Sequence, residues 1–547
     1  MDNIIGLDSN YNARKIHMDF YPKIPGAGGG KYPDVNRDIN TYIEQGTSVV
    51  SYIGHGGGSG WADERVLEFR DIQNWRNINS LPLFVTATCE FTRFDDPSFL
   101  SAGERLVLSP TGGTIAMLTT MRLVFGGFSN NIGFSKNFFD QALDNRTKNP
   151  YTLGDAMRIT KVVSPMGSSF NSRKFSLLGD PATRLTLPKL NVKTTQILVE
   201  NTPNDTIKAL SKVRVKGEIV DKNNVVQTGF NGILYPTVLD KKQINFTRDN
   251  NNRNVVDSFY TQNSILFKGK ASVTNGLFDF EFIVPKDINY QFGKGKISYY
   301  VAGEEIDGNG FNQNFIVGGS NPNAVNDAQP PIIQLTLNDS SFVSGSLSDQ
   351  NPLVIAKISD NYGINISGNG IGRNMTITID GDVANSIVVN NFFRSDINSY
   401  QSGKLEYRLG NLSEGEHTLT VKAWDIHNNS SEETITFIVS NSKNFQLKNV
   451  LNYPNPFTTH TDFMFEHNQK NSSLDVQITI FTITGKVIKT IRAQLDGNTG
   501  FAQTKIPWDG LDDFGSQIGR GVYIYNLKVK ASNGLEAEKN EKLVILR

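Results

Sequence analysis

Two residue types that support nucleophilic chemistry follow two apolar segments of the chain. The segment 47–53 runs into Gly54 and His55, and the segment 83–88 runs into Cys89. A thiol with an ordinary pKa of about 8.5 is mostly protonated at neutral pH, so a cysteine nucleophile needs a base, and an adjacent imidazole can accept the proton. His55 and Cys89 are therefore a candidate Cys/His dyad.

The two apolar segments are predicted to be strands that position this dyad. If they pair in parallel, residues 62–80 supply the crossover, and both reactive side chains emerge at the sheet edge where open α/β folds place their sites. Glycines on both sides of His55 allow close approach of a substrate to the backbone. A single buried cysteine or a histidine in a turn is more commonly structural, but Cys89 is the only cysteine of the chain and its placement favours the dyad.

The motifs around these residues resemble the gingipain-type cysteine peptidase family, which has a caspase-like fold. They are Tyr-Ile-Gly-His-Gly-Gly at 52–57 and Thr-Ala-Thr-Cys at 86–89. The resemblance implies that Cys89 is the nucleophile and His55 the general base. Within the family, Glu64-Arg65, the segment 173–181 and the downstream domains most resemble a sortase of the bacterial type IX secretion system.

Other candidate site residues follow from position beside the dyad. The backbone N–H groups of Gly56 and Cys89 are the expected oxyanion donors, because both lie at strand ends next to the attacking sulfur. Asp63 or Glu64 could orient the imidazole, although solvated loop carboxylates are the commoner outcome. The resemblance places the family's usual third acidic residue upstream of this chain.

A further predicted strand over 113–118 leads to Thr120 and Arg122, which are candidates for the substrate pocket of a caspase-like fold. Asp95 and Asp96 form an acidic pair that would suit calcium, but two carboxylates alone are weak evidence for a cation site. No other cofactor is expected. His417 and His427 lie in turn-like settings without metal-ligand spacing, so no metal site is predicted.

Composition limits the remaining possibilities. The chain has 547 residues, and its 54 basic and 54 acidic residues balance without a long block of either sign. Nucleic acid is therefore not an expected partner, because phosphate binding needs a basic face. No apolar run approaches the roughly 18 residues of a membrane span. Residues 1–10 show no signal-peptide pattern, and the resemblance implies that the N-terminal part of the catalytic domain lies outside this chain.

We predict a multidomain protein in which an α/β catalytic region is followed by β-sandwiches. Residues 1–189 are the incomplete gingipain-like peptidase domain, 190–325 a β-rich immunoglobulin-like domain, and 326–444 an immunoglobulin-like sandwich, since their strands alternate and their connections are rich in Asn and Gly. Residues 445–547 resemble the C-terminal sorting domain of type IX cargo, through motifs at 453–457, 508–510 and 521–525.

The resemblance implies an enzyme at the surface of a Gram-negative outer membrane, exported through the type IX system. Its partners would be exported proteins carrying sorting domains, components of the outer-membrane secretion and attachment complex, and anionic lipopolysaccharide. A secreted gingipain-like digestive peptidase and an inactive surface binding protein remain alternatives. Hydrolysis and transpeptidation share the acylation half-reaction, so the dyad does not separate them, and removal of the C-terminal domain stays open.

Overall fold

The computed structural model describes residues 9–26, 29–124, 128–143, 149–163, 170–340, 342–368, 372–410, 412–440, 445–469, 472–496 and 504–546, with only the backbone described at 128–130. The signal-peptide prediction for residues 1–10 therefore falls mostly outside them. The described chain is mostly β with few helices. It divides into two compact units, residues 1–284 with 288–322 and residues 285–287 with 323–547. Among the described residues, no helix has the length and apolar character needed to cross a membrane.

The first part of unit 1 alternates strands and helices, as predicted for an α/β region. Its helices are α1 (Pro33–Glu44), α2 (Phe69–Asn74), α3 (Ala102–Leu108), α4 (Phe128–Ala142) and α5 (Leu153–Val163). Its strands are β1 (Val49–Ile53), β2 (Gly56–Gly57), β3 (Gly60–Trp61), β4 (Leu67–Glu68), β5 (Leu83–Ala87), β6 (Ala116–Thr120) and β7 (Phe175–Leu178).

The central sheet of this region has the strand order β1-β5-β6-β7, with β1, β5 and β6 parallel and β7 antiparallel to β6. Every residue of β5 and β6 is buried, as expected for parallel strands covered on both faces. Leu83, Val85 and Ala87 of β5 pack with helices α4 and α5 in one core, whereas Phe84 belongs to the other core with residues of α1, α2 and α3. Alternation along β5 thus places helices on both sides of the sheet.

The second part of unit 1 is all β. Its strands are β8 (Leu190–Val199), β9 (Thr202–Pro203), β10 (Thr206–Ala209), β11 (Lys212–Val220), β12 (Gly232–Leu239), β13 (Gln243–Phe246), β14 (Ser258–Thr261), β15 (Ile265–Lys268), β16 (Ala271–Thr274), β17 (Leu277–Ile283), β18 (Gly293–Lys294), β19 (Lys296–Ala302), β20 (Asp307–Asn312) and β21 (Ile316–Ser320).

Most of these strands form one nine-stranded sheet that closes on itself, because β8 pairs with both β20 and β11. Closure removes two exposed sheet edges. The prediction that residues 190–325 are β-rich is therefore confirmed. Their immunoglobulin-like character stays a prediction.

The described residues of unit 2 form four further sheets. Its strands are β22 (Ile332–Leu337), β23 (Leu347–Ser348), β24 (Leu353–Ser359), β25 (Thr376–Ile379), β26 (Ile387–Val388), β27 (Phe393–Ser395), β28 (Ser402–Arg408), β29 (Gly415–Trp424), β30 (Ser430–Val439), β31 (Leu447–Tyr453), β32 (Thr461–His467), β33 (Leu474–Thr482), β34 (Val487–Leu495), β35 (Thr504–Trp508), β36 (Gly521–Ala531) and β37 (Glu536–Ile545).

Strands β22 to β30 form sheets of order β22-β24-β28-β27 and β23-β30-β29-β25-β26. Strands β31 to β37 form sheets of order β31-β32-β35 and β34-β33-β36-β37, which share a core containing Phe463, Ile478, Trp508 and Leu527. Two sheets around one apolar core are the basis of a β-sandwich. The finer domain boundaries inside each unit stay predictions.

Candidate active site

Strands β1 and β5 bring the two predicted reactive residues to one edge of the sheet. The strands pair in parallel from Val49 with Leu83 to Ile53 with Ala87. The Gly54 N–H extends the ladder by donating to Ala87 O at 3.3 Å. His55 and Cys89 each follow the last pair by two residues. The two residues therefore occupy matching positions at the carboxyl ends of neighbouring strands, as the sequence predicted.

The backbone of His55 is held by an aromatic pair. The ring of Tyr52 stacks on Trp61, with centroids 4.2 Å apart and planes 4° apart. The Tyr52 hydroxyl donates to His55 O at 2.6 Å, and Ala62 N–H donates to the same oxygen at 2.8 Å. Burial raises the pKa of Tyr52, so the phenol keeps its proton. His55 itself is exposed, which leaves its ring accessible from solvent.

Close packing beside this turn leaves no room for a side chain at position 56, which is glycine. It pairs with Trp61 in the short β2–β3 hairpin, and a Cβ at Gly56 would lie 2.6 Å from Thr88 Oγ1 and 2.9 Å from Gly60 O. The hydrogen bond from Ala62 N–H to His55 O joins the residues that flank the Gly56–Trp61 pair. Gly56 and Trp61 are therefore a non-hydrogen-bonded pair, and their own N–H groups point away from the partner strand. The Gly56 N–H is thus outside the hairpin ladder, as an oxyanion donor requires.

Cys89 is half-buried at the end of β5. Its thiol donates to Val124 O, with a sulfur to oxygen distance of 3.7 Å. Glu90, the next residue, has a φ of +49°, a left-handed conformation that non-glycine residues seldom adopt and that often marks functional turns. The chain therefore bends sharply just after the sulfur-bearing residue.

Thr120 is not an open pocket residue, which corrects its predicted position. It is fully buried, and its hydroxyl donates to Thr88 O at 2.5 Å. The reason is its place in the sheet. Thr120 is the last residue of β6, which pairs with β5, so its hydroxyl reaches the backbone just after β5 rather than solvent. Thr120 instead supports the residue that precedes Cys89. Thr88 Oγ1, also buried, has no hydrogen-bond partner among the described residues.

The predicted charged residues are engaged with one another. The Arg122 guanidinium binds both carboxylate oxygens of Asp95, and this pairing lowers the pKa of Asp95. Hydrogen bonds from Ser98 lower the pKa of Asp96, which also pairs with Arg93 at 2.8 Å. Each carboxylate of the suggested calcium pair thus already has a positive partner.

The two candidate orienting carboxylates do not hydrogen-bond to the imidazole. Glu64 pairs with Lys23 Nζ at 3.4 Å, and Lys23 also donates to Asn251 Oδ1 at 2.9 Å. Within the described part of the chain, no hydrogen bond joins the His55 ring to Asp63, Glu64 or Cys89. The orienting role of Asp63 or Glu64 stays a prediction.

Sequence reasoning missed Tyr52, Trp61 and Thr88 as residues that build the site. The only signal for Tyr52 and Trp61 was an aromatic residue on each side of the glycine-rich turn. Sequence reasoning also missed a cleft of about 450 Å³ beside the edge strand β7. The cleft is lined by Phe94, Met157, Arg158 and Lys161, among others. Burial lowers the pKa of Lys161 there.

Comparisons with known proteins place the candidate dyad in a recognised context. Residues 2–186 match peptidase family C25. The chain is similar to dimeric latent PorU from Porphyromonas gingivalis, at 26% identity and a TM-score of 0.31, over 93% of this chain and 47% of that one. It is also similar to the Arg-specific cysteine proteinase gingipain R, at 15% identity and a TM-score of 0.26, over 52% of this chain and 56% of that one.

The chain thus spans about half the length of these solved relatives. No curated protein sequence matches it significantly. Family C25 consists of cysteine-type peptidases, and its match covers both His55 and Cys89. The predicted resemblance to the gingipain-type cysteine peptidases is therefore confirmed for residues 2–186.

Proposed function

We propose that this chain carries the nucleophile and the general base of a cysteine peptidase, Cys89 and His55. The observation that supports this most is the parallel register of β1 and β5, which places the two residues at matching positions beyond the pair Ile53–Ala87. The Cys89 thiol now donates to Val124 O, and rotation of the side chain would release the sulfur from this weak hydrogen bond. The family match of residues 2–186 supports the same assignment.

The first half-reaction is acylation. His55 accepts the thiol proton, the sulfur forms a bond to the peptide carbonyl carbon, and the carbonyl π electrons move to oxygen. The N–H groups of Gly56 and Cys89 stabilise that oxyanion. Collapse of the intermediate breaks the C–N bond, and the departing amine takes the proton from His55. The product is an acyl-enzyme on Cys89 with a free amine.

The second half-reaction decides between a peptidase and a sortase. His55 takes a proton from the incoming nucleophile, the nucleophile bonds to the acyl carbon, and the C–S bond breaks, so that the proton returns to the Cys89 sulfur. Water as the nucleophile releases an acid, whereas an amine yields a new amide. We propose the transfer reaction: the sorting domain of type IX cargo is cleaved, and the cargo is joined to anionic lipopolysaccharide at the surface of a Gram-negative cell. The similarity to PorU over 93% of this chain motivates this choice. Residues 445–547, with their two sheets around one core, would form a sorting domain of the same kind.

Two other functions compete with this proposal. A secreted digestive peptidase would use the same dyad on general protein substrates. An inactive surface binding protein would rely on its β domains. The observation that favours this alternative is that the Cys89 thiol donates to Val124 O. The experiments below separate all three.

A thiol-labelling assay tests the dyad. Cys89 is the only cysteine, so iodoacetamide reports on it alone. We expect His55→Ala to slow alkylation at pH 7 by about tenfold, because the imidazole no longer promotes the thiolate. His460→Ala is the matched control, since His460 is an exposed histidine of unit 2. Equal rates for the wild-type chain and His55→Ala would contradict the dyad.

An experiment in cells tests the reaction. Cys89→Ala is introduced into the chromosomal gene, and exported surface proteins are analysed by mass spectrometry. Retained sorting domains and lost surface attachment support the sortase. Normal cargo processing overturns it, and cleavage of general peptides by the purified wild-type protein then separates the digestive peptidase from the binding protein.

A further inference from the structure

Three metal-ligating side chains meet inside unit 2, far from the candidate dyad in sequence. Asp327 precedes β22, while Asp425 and His427 lie in the turn between β29 and β30. One ligand atom from each lies within 4.8 Å of the others. Asp425 is fully buried and His427 is 8% exposed. A cluster this enclosed differs from the exposed carboxylate pairs that are common on protein surfaces.

Two atoms of the cluster lack the partners that buried polar atoms normally have. His427 Nδ1 and Asp327 Oδ2 are both buried, and neither has a hydrogen-bond partner among the described residues. They face each other at 4.0 Å, which is too long for a hydrogen bond. Two ligands of one tetrahedral ion lie about 3.4 Å apart when the metal to nitrogen and metal to oxygen distances are about 2.0–2.2 Å, so an approach of about 0.6 Å would bring both atoms to one ion.

The outer contacts of the cluster fix its chemistry. His427 Nε2 lies 3.0 Å from Val325 O, and a carbonyl oxygen can only accept, so Nε2 carries the proton. In the neutral imidazole, Nδ1 is then the nitrogen whose lone pair is available to a metal ion. Metal-bound histidines characteristically donate their other N–H to a carbonyl or carboxylate in this way.

The carboxylates of the cluster are held in place without a positive partner. Both oxygens of Asp425 accept hydrogen bonds from Asn429, at 2.7 Å from its backbone N–H and 2.7 Å from its side-chain amide. Asp360 lies close enough to interact electrostatically with Asp327, Asp425 and His427. In the described ranges, no lysine or arginine lies within 4.0 Å of these three aspartates. Buried carboxylates are usually paired with a cation or bound to a metal ion.

We propose that Asp327, Asp425 and His427 bind a divalent transition-metal ion of the zinc class. The mixed set of one imidazole nitrogen and two carboxylate oxygens suits Zn²⁺, whereas Ca²⁺ prefers six to eight oxygen ligands. The ion ties the segment that precedes β22 to the β29–β30 turn, which lies about 100 residues later in the chain. The site is independent of the proposed peptidase function.

Metal binding is measured on the full 547-residue chain carrying Cys89→Ala, so that zinc held by the candidate dyad does not enter the count. The chain is treated with EDTA, desalted and titrated with Zn²⁺ by calorimetry, and the bound metal is counted by elemental mass spectrometry. We expect one equivalent of Zn²⁺ at micromolar or lower Kd and a rise in Tm on binding. Absence of a stoichiometric site in this chain overturns the proposal, as does a site that takes Ca²⁺ in preference to Zn²⁺.

Substitutions assign the ligands. We expect Asp327→Asn and His427→Gln each to weaken Zn²⁺ binding by at least tenfold, because each removes one ligand atom. His417→Gln is the matched control: His417 is also buried, but its two ring nitrogens already contact Asp380 and Ser413, each at 2.8 Å. If Zn²⁺ binds equally well to the Asp327→Asn chain, the metal lies elsewhere and the assignment fails. The melting transition without metal identifies any variant that does not fold.

Discussion

The hydroxyl of Tyr52 donates a 2.6 Å hydrogen bond to the backbone oxygen of His55, while its ring lies flat on buried Trp61. A residue inside strand β1 therefore fixes the turn that carries the candidate base. The position of His55 depends on this hydrogen bond as well as on the strand pairing.

We expect Tyr52→Phe to lower activity while keeping the fold. The substitution keeps the stacked ring but removes the hydrogen bond to His55 O, a loss of about 0.5–1.5 kcal/mol. If this bond positions His55, the rate of thiol alkylation at pH 7 falls about three- to tenfold. Tyr21→Phe is the control, because Tyr21 donates to Asp38 at 2.8 Å, away from the dyad. Equal decreases for both variants would indicate a general loss of stability instead.

Gly56 and Gly57 should respond differently to alanine. A Cβ at Gly56 would lie 2.6 Å from Thr88 Oγ1, whereas a Cβ at Gly57 would meet no atom within 4 Å. We expect Gly56→Ala to shift the hairpin, to destabilise the chain by about 1–3 kcal/mol, and to reduce activity at least tenfold. Gly57→Ala should leave both nearly unchanged. The comparison uses peptide cleavage or thiol labelling together with urea unfolding, and equal behaviour of the two variants would contradict the proposed packing.

Thr120→Val tests the buried support of the Cys89 strand. Valine has nearly the shape of threonine but cannot donate to Thr88 O, so a buried carbonyl loses its partner at a cost of about 1–3 kcal/mol. We expect a lower Tm and slower Cys89 labelling. The matched control is Thr206→Val, because Thr206 lies on the short strand β10 and its hydroxyl bonds to exposed Asp205. An unchanged labelling rate would show that Thr120 does not position the site.

The contribution of His467 to the stability of unit 2 should fall as the pH decreases below 6.5. Burial lowers the pKa of His467 from 6.5 to about 4. Between these values the unfolded chain binds a proton that the folded chain does not, so the free energy of unfolding falls by about 1.4 kcal/mol for each pH unit as the pH decreases.

A variant comparison isolates this contribution. Burial raises the pKa of Asp425 to about 6, which acts in the opposite direction over part of the same range. The wild-type chain is therefore compared with His467→Gln by urea unfolding from pH 7 to pH 4. We expect the difference in the free energy of unfolding between the wild-type chain and His467→Gln to change across this pH window. The difference between the wild-type chain and His460→Gln, at an exposed histidine, should stay constant. A constant gap for His467→Gln would refute the prediction.

The sequence was sufficient to locate the strands that precede His55 and Cys89. A short apolar run is a local signal, and the segment between two such runs is long enough to be the crossover of a parallel pair. These features depend on residues close together in the chain.

Other features depended on contacts between distant segments. The predicted immunoglobulin-like domain over 190–325 contains a nine-stranded sheet that closes on itself, because β8 has partners both at β11 and at β20. Thr120 was expected to line a pocket and is buried, since only the packed sheet decides which neighbour meets a strand end.

His427 shows most clearly the difference between what the local sequence determines and what contacts between distant segments determine. The sequence determined that it lies in a turn, two residues after Asp425. Its third partner, Asp327, is about 100 residues away, so no spacing rule could include it. Local pattern fixed the strands, the turns and the reactive residue types, because these follow from backbone preferences and side-chain periodicity. Tertiary structure decided which side chains meet, because burial and pairing arise only when distant segments pack together.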